Sequence, residues 1–348
     1  TQNMWIVCSE LGKKGKSNTK NGKAFRLNTL TSVLALSFLG WFFPQIASAG
    51  CDIPAIPASN SVVTCTGTTS GTYKITDVQN VQLTNQGDWG LSGESRGIID
   101  ADIGNLTGLV VTNNGTMTWD NAQYGGSGTG TRAVINAFTI SNKATQATTT
   151  NTDKGVINLN VTSDLGDKRG LAGMGVTGRG TDSHNSLNNA GQINVSSTSN
   201  NPSSYVGGAF ISGITQIDAV NTGTITITQP SGSAVTYGLV PTLVGGSTVP
   251  ALATVNNSGT IAIYSPMASS SAGVWMGQVA ANVDNLPSVL KLNNSGVIKR
   301  DADPAKGIVV ALNQKPQSNV SFEINNSGAL LAKDSSGRAV FLNGGATQ

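Results

Sequence analysis

The heptapeptide Leu292-Asn293-Asn294-Ser295-Gly296-Val297-Ile298 contains the pattern that decides the architecture of this chain, apolar-x-Asn-x-Gly-x-apolar. The pattern occurs eight times, once in a weaker form, Asn151 to Ile157. The repeated corner residues are Asn85 and Gly87, Asn113 and Gly115, Gly155, Asn189 and Gly191, Asn221 and Gly223, Asn257 and Gly259, Asn294 and Gly296, and Asn326 and Gly328. Seven repeats separate Gly87 from Gly328, so the period is about 34 residues, within the range of solenoids, propellers and repeat arrays.

Each repeat predicts short β-strands. Apolar and polar residues alternate before the Asn and again after the Gly, as at Ile225 and Ile227, and this period of two is the pattern of a strand. Gly lacks a Cβ and Asn can bond to nearby backbone, so we expect positive φ angles at the corner between these two strands. A third strand is predicted where a small residue leads into an apolar run, as at Gly273-Val274-Trp275.

Three strands per repeat favour a parallel β-helix over a propeller, whose blades need four strands. Helical repeats are excluded because Gly accounts for 43 of 348 residues and no long stretch has helical apolar spacing. Disorder is disfavoured because Ile, Val and Leu recur in register with the motif. The sequence predicts an all-β, right-handed parallel β-helix, a solenoid of about eight coils of ~34 residues, in which stacked corner Asn side chains share hydrogen bonds.

Residues 1–49 form a predicted leader, residues 50–80 an N-terminal cap, and residues 81–348 the repeats. The first 50 residues hold six basic residues and one acid, so the rest of the chain has a formal charge of about −2 and nucleic acid is not an expected partner. An apolar run, Val33 to Phe43, precedes Ala47-Ser48-Ala49. This order is typical of a secretory signal peptide cleaved between Ala49 and Gly50, after the small residues Ala47 and Ala49.

The cysteines give a second sign of export. Cys8 lies in the leader, which leaves Cys51 and Cys65 in the mature chain. Both would enter an oxidising compartment, so we predict that they form a disulfide. The alternative is a lipoprotein, because Ser48-Ala49-Gly50-Cys51 has some likeness to a lipidation box, and lipidation would leave Cys65 unpaired.

Residues able to support catalysis or metal binding are few. The single histidine, His184, lies beside Ser183 and Asp182, but residues adjacent in sequence are rarely a catalytic triad. One His and two paired Cys do not make a zinc site. The glycine-rich stretch Gly125 to Gly130 lacks the Lys of a phosphate-binding loop, and the acids are scattered along the chain. We therefore predict no enzymatic activity, no cofactor and no metal.

Two stretches carry a family resemblance. Trp5 with Ser9-Glu10-Leu11 and the lysines after them resembles the extended signal peptide region of Gram-negative type V secreted proteins. That region normally starts with an initiator Met, so a start at Thr1 implies N-terminal truncation. The repeated Asn-Ser-Gly-x-Ile, over nearly all of residues 66–348, resembles the β-helical passenger of a classical autotransporter. The resemblance also implies a C-terminal β-barrel of amphipathic strands, and nothing after Leu342 supplies it.

The resemblance implies a non-enzymatic adhesin, exported to the cell surface, outer membrane or extracellular space. Its partners would be the Sec translocon, a β-barrel translocator outside this chain, and either a host-surface receptor or a second copy of itself. The alternatives are the stalk of a secreted enzyme or toxin, a two-partner secreted exoprotein, which is expected to have Asn-Pro-Asn motifs where this chain has only Asn201-Pro202, and a trimeric autotransporter. The candidate recognition loops are the longer inserts, Asp120 to Thr131, Asn142 to Lys154, Ser196 to Ser204 and Pro241 to Pro250.

Overall fold

A computed structural model describes residues 50–51, 57–102, 108–127, 130–139, 146–178, 183–301, 307–314, 319–333 and 338–343. These residues belong to one compact unit of the chain, Ala47–Gln348. The predicted leader, with Ala47 and Ala49, lies outside the described residues, so its cleavage stays a prediction. The described chain contains 28 strands and one short 3₁₀ turn, Val283–Asn285.

The strands follow one another in a repeating order of three. In chain order they are β1 (Gly50–Cys51), β2 (Val62–Thr66), β3 (Thr68–Ser70), β4 (Tyr73–Ile75), β5 (Gln82–Asn85), β6 (Asp88–Ser95), β7 (Ile99–Asp102), β8 (Leu109–Asn113), β9 (Thr116–Tyr124), β10 (Gly130–Thr139), β11 (Gln146–Asn151), β12 (Val156–Val161), β13 (Arg169–Gly178), β14 (His184–Asn189), β15 (Gln192–Ser197), β16 (Tyr205–Gly213), β17 (Gln216–Asn221), β18 (Thr224–Thr228), β19 (Val235–Leu243), β20 (Ala251–Asn257), β21 (Thr260–Tyr264), β22 (Ser271–Gln278), β23 (Ser288–Asn294), β24 (Val297–Asp301), β25 (Gly307–Gln314), β26 (Val320–Asn326), β27 (Ala329–Ala332) and β28 (Arg338–Asn343).

Strands three apart in the chain pair side by side and form three long sheets. Sheet A runs from β1 and β2 through β5, β8 and onward to β26, sheet B from β3 to β27, and sheet C from β4 to β28. All pairs are parallel except β1 with β2. The described residues therefore form an all-β parallel β-solenoid of the right-handed type, which confirms the predicted fold.

The described chain has nine three-stranded coils, so the predicted count of about eight is wrong by one. The missed coil is the first, β2 to β4, which lies within the segment predicted as a cap. There Cys65 takes the place of the corner Asn and pairs in register with Asn85. Gly67 takes the place of the corner Gly, because a Cβ on Gly87 would lie 2.0 Å from the Gly67 carbonyl oxygen. A search that requires Asn misses this coil.

The corner Asn side chains point into the solenoid and form a continuous ladder. From coil 2 to coil 9 each amide nitrogen donates to the side-chain oxygen of the next Asn, at 2.6 to 2.9 Å. The members are Asn85, Asn113, Asn151, Asn189, Asn221, Asn257, Asn294 and Asn326. Because an unpaired buried amide is costly, the ladder fixes the register of successive coils.

The corner Gly residues are required for a reason that differs from the predicted one. None of the predicted corner Gly or Asn residues is among the described residues with positive φ, and only Gly67 at the corner of the first coil is. A Cβ on Gly259 would instead lie 2.0 Å from the Gly223 carbonyl oxygen, and one on Gly296 would lie 2.1 Å from that of Gly259. Backbones of successive coils thus approach closely at this corner. Steric exclusion of a side chain, and not backbone conformation, selects Gly there.

The core is a stack of apolar side chains between the three sheets. Ile193, Ile225 and Ile261 occupy one inward column of sheet B, and all three are fully buried. Opposite them sheet C has a column of glycines. A Cβ on Gly238, for example, would lie 2.3 Å from the Ile261 Cγ2 atom. The solenoid is therefore narrow here, because isoleucine side chains pack directly against backbone.

Candidate functional site

Most residues singled out from the sequence occupy structural positions. The corner Asn residues from Asn85 to Asn294 are buried in the ladder and unavailable to a ligand, whereas Asn326 in the last coil is exposed. Cys51 and Cys65 form a disulfide with an S–S distance of 2.10 Å, which ties β1 to the first coil. His184 lies on the outer face of sheet A, where its Nε2 atom is 2.8 Å from Asp218 Oδ2. Asp182 lies outside the described residues, and Ser183 is fully buried.

The four predicted recognition inserts differ in how much of each is strand and how much is loop. Most of the described part of Asn142 to Lys154 is not a loop, because Gln146–Asn151 is strand β11 of sheet A. The insert Asp120 to Thr131 extends β9 as far as Tyr124 before the chain turns into β10. The other two contain loops, of residues 198–204 and 244–250.

The turns from sheet B to sheet C, here called the B–C corner, stack on one another. In coils 4 and 5 these turns comprise residues 162–168 and 198–204. The backbone N–H of Asn200 donates to Asp164 Oδ1 at 2.6 Å, and Asn201 Nδ2 donates to Asp167 Oδ1 at 3.0 Å. Side chains of one loop therefore form hydrogen bonds with polar groups of the next loop, and the loops form one continuous surface.

A cavity of about 270 Å³ opens at this corner in coils 2 to 4 and is here called the B–C pocket. Its walls come from β6, β9 and the start of β13, with the loop that precedes β13. The lining residues are Glu94, Gln123, Tyr124, Gly126, Ser163, Asp164, Leu165, Gly166 and Arg169. Parallel register brings them together, since Glu94 pairs with Gln123 and Ser95 with Tyr124 across β6 and β9.

Tyr124 lines the pocket and is packed against arginine side chains. Its ring lies 5.5 Å from the Arg132 guanidinium carbon and 5.1 Å from that of Arg169, both distances measured to the ring centroid. Such cation–π contacts contribute about 0.5–2 kcal/mol each, more when they are desolvated. Tyr124 is buried, and its hydroxyl has no hydrogen-bond partner among the described residues.

Tyr205 packs near this group from the next coil. Its ring covers Gly170, where a Cβ would lie 1.9 Å from the ring, and its hydroxyl accepts a 3.0 Å hydrogen bond from Thr131 Oγ1. Burial raises the pKa of Tyr205 from 10.0 to about 12, although the Thr131 hydrogen bond opposes the shift. The hydroxyl therefore stays protonated at neutral pH.

Two other cavities have linings that indicate no particular ligand. One of about 480 Å³ follows the outer A–B corner of coils 6 to 9, where Asn and Ser side chains repeat. The other, of about 390 Å³, lies on sheet B of the last coils and contains the exposed Lys333–Asp301 ion pair at 2.7 Å. Within the described ranges, no group of three or more His, Cys, Asp and Glu side chains is placed to hold a metal ion.

Comparison with known proteins adds no assignment. No family model, no curated protein and no solved structure matches this chain. Over the part of the chain that the structure covers, no helix is long and apolar enough to cross a membrane. The site must therefore be interpreted from its own geometry.

Sequence reasoning identified part of the pocket. The insert Asp120 to Thr131 contains Gln123 and Tyr124, which line it. Glu94 and Asp164 were missed because they are two coils apart in sequence and were counted among the scattered acids. Alignment of the coils by their corner Gly residues places both carboxylates at the same corner, two coils apart.

Proposed function

We propose that this chain is the exported passenger of a Gram-negative type V secreted protein and acts as a non-enzymatic adhesin at the cell surface. The observation that carries the proposal is the B–C corner, where loops of successive coils stack into one surface and enclose a polar pocket. Rigid solenoids with loops on one side suit the recognition of extended partners. The proposed partners are the Sec translocon, a separate β-barrel translocator and a receptor on a host surface.

The disulfide supports export. Disulfides persist in oxidising compartments and are rare in the cytosol. Cys51 and Cys65 lie at the first coil, the end of the solenoid where β2 of sheet A has only the short β1 as its other neighbour. A closed loop of this size stabilises by about 3 kcal/mol on the chain-entropy model. The disulfide therefore stabilises the end of the solenoid at which an open sheet edge could pair with strands of another chain.

Surface display and adherence test the proposal. The chain from Gly50 onward is given a standard Sec signal peptide, fused to an autotransporter β-barrel and produced in a non-adherent Gram-negative strain. Added protease should cleave the passenger on intact cells, and these cells should adhere to cultured epithelial cells more than cells that carry the barrel alone.

The two readouts separate the two parts of the proposal. A passenger that stays protected from protease, while the barrel assembles, contradicts the passenger assignment. A displayed, protease-accessible passenger whose cells adhere no better than the barrel-only control contradicts the adhesin assignment.

A further inference from the structure

The walls of the B–C pocket alternate hydrogen-bond donors and acceptors. Glu94 and Asp164 offer carboxylate oxygens, Arg169 offers only donors, and Gln123 and Ser163 offer both. A sugar hydroxyl donates one hydrogen bond and accepts others, so neighbouring hydroxyls on a ring match such a mixture. An apolar ligand would leave these groups unpaired, which disfavours its binding.

The pocket groups have spare capacity for a ligand. Glu94 accepts one long hydrogen bond, 3.4 Å from the Gly126 N–H, and Asp164 accepts from Asn200 through Oδ1. Arg169 stacks on Tyr124, and in the described chain no carboxylate lies within 4.0 Å of its guanidinium nitrogens. The unpartnered Tyr124 hydroxyl is a further buried group that needs a hydrogen-bond partner.

Charge and size narrow the class of ligand. Two carboxylates and one guanidinium line the pocket, so its formal charge is −1 and an anionic ligand is disfavoured. Its volume of about 270 Å³ is just below the roughly 300–1,000 Å³ of drug-sized sites, so it suits one ring and not a long chain. The stacking of Arg132 and Arg169 on Tyr124 holds the wall in place before binding, which reduces the entropy lost on binding.

We propose that the B–C pocket binds one neutral pyranose residue of a cell-surface glycan. This inference rests on the proposed adhesin function and names its ligand class. Glu94 and Asp164 accept hydrogen bonds from ring hydroxyls, and Arg169 donates to ring oxygens.

Binding of defined glycosides to the purified, exported chain tests the inference. The probes are methyl β-glucopyranoside, methyl β-galactopyranoside and N-acetylglucosamine, with sialyllactose as the anionic comparison, measured by saturation-transfer NMR and titration. At least one neutral probe should bind. Asp164→Asn should weaken its binding by about tenfold or more, because a charged acceptor is lost. Asp153→Asn, at an exposed acid on the A–B corner, should bind as the unmodified chain does.

Equal melting temperatures for the two variants show that the fold is intact. Binding of none of the neutral probes, equal binding by Asp164→Asn and the unmodified chain, or binding of sialyllactose alone would each overturn the inference. Adherence by the barrel fusion without any glycoside binding removes the pocket assignment and leaves the adhesin proposal standing. Glycoside binding without adherence removes the adhesin proposal and leaves the pocket assignment standing.

Discussion

The buried Asn ladder makes a quantitative prediction for Asn221→Ala. Asn221 is 1% exposed, accepts from Asn189 Nδ2 at 2.8 Å and donates to Asn257 Oδ1 at 2.7 Å. The substitution leaves one buried donor and one buried acceptor without these partners. Each unsatisfied group costs about 1–3 kcal/mol, so the free energy of unfolding should fall by about 4 kcal/mol.

The outer column of Asn residues provides a matched control. Asn293 also makes two Asn–Asn hydrogen bonds, 2.8 Å to Asn256 and 2.9 Å to Asn325, but these lie on the exposed face of the same corner. Water can replace both bonds, so Asn293→Ala should cost less than about 1 kcal/mol. The two variants thus differ in burial and not in the number of hydrogen bonds.

Equilibrium unfolding in urea measures both variants. Tryptophan fluorescence and far-UV circular dichroism should be followed together, because solenoids can lose two-state behaviour and coincident transitions are needed to extract a free energy. Losses of similar size for Asn221→Ala and Asn293→Ala would refute the claim that the buried ladder stabilises the stacking of coils.

Three further predictions concern the core, the first coil and pH. Ile261→Ala should destabilise by about 2–5 kcal/mol because the rigid coils above and below cannot fill the cavity, whereas Thr260→Ala on the outer side should cost little; unfolding in urea compares them. Cys51 and Cys65 of periplasmic protein should resist alkylation until reduced, and mass spectrometry before and after reduction checks this; two free thiols would contradict it. The raised pKa of Tyr205 means that its contribution to stability, up to about 3 kcal/mol, is complete below pH 10 and is lost as the pH rises through about 12. Thermal melts across this range should show the loss, and Tyr205→Phe should reduce it; an unchanged profile in that variant would contradict the assignment.

The fold was predictable because its determinants are local and periodic. Alternation around Ile225 and Ile261 identifies the inward column of sheet B, and both side chains are fully buried. The role of Gly259 was misjudged because its constraint comes from Gly223 in the preceding coil, a contact that local sequence does not reveal. Cys65 concealed the first coil for a chemical reason, since a disulfide there replaces the start of the ladder.

The pocket was harder to predict because it depends on contacts between coils of unequal length. Gln123 and Tyr124 lie in an insert that can be recognised from the sequence because it lengthens its repeat. Glu94 and Asp164 do not lie in a lengthened repeat. Because the spacing of the corner Gly residues varies, their common position at the B–C corner becomes visible only when the coils are aligned. The cation–π stacking of Arg132 on Tyr124 is likewise a contact between side chains on different strands of different sheets.

The parallel stacking of coils is the central claim, and a distance between spin labels tests it most directly. Thr118, Thr226 and Lys299 lie in one outward column of sheet B, connected through paired residues in every intervening coil. Labels at Thr118→Cys and Lys299→Cys, five strand spacings apart, in a chain whose Cys51–Cys65 disulfide is intact and whose Cys8 is replaced by Ser, should give a narrow distribution centred near about 24 Å. Labels at Thr118→Cys and Thr226→Cys, three spacings apart, should give about 14 Å. A broad distribution centred well above about 24 Å for the first pair, or no increase from the second pair to the first, would contradict the solenoid and every inference built on its register.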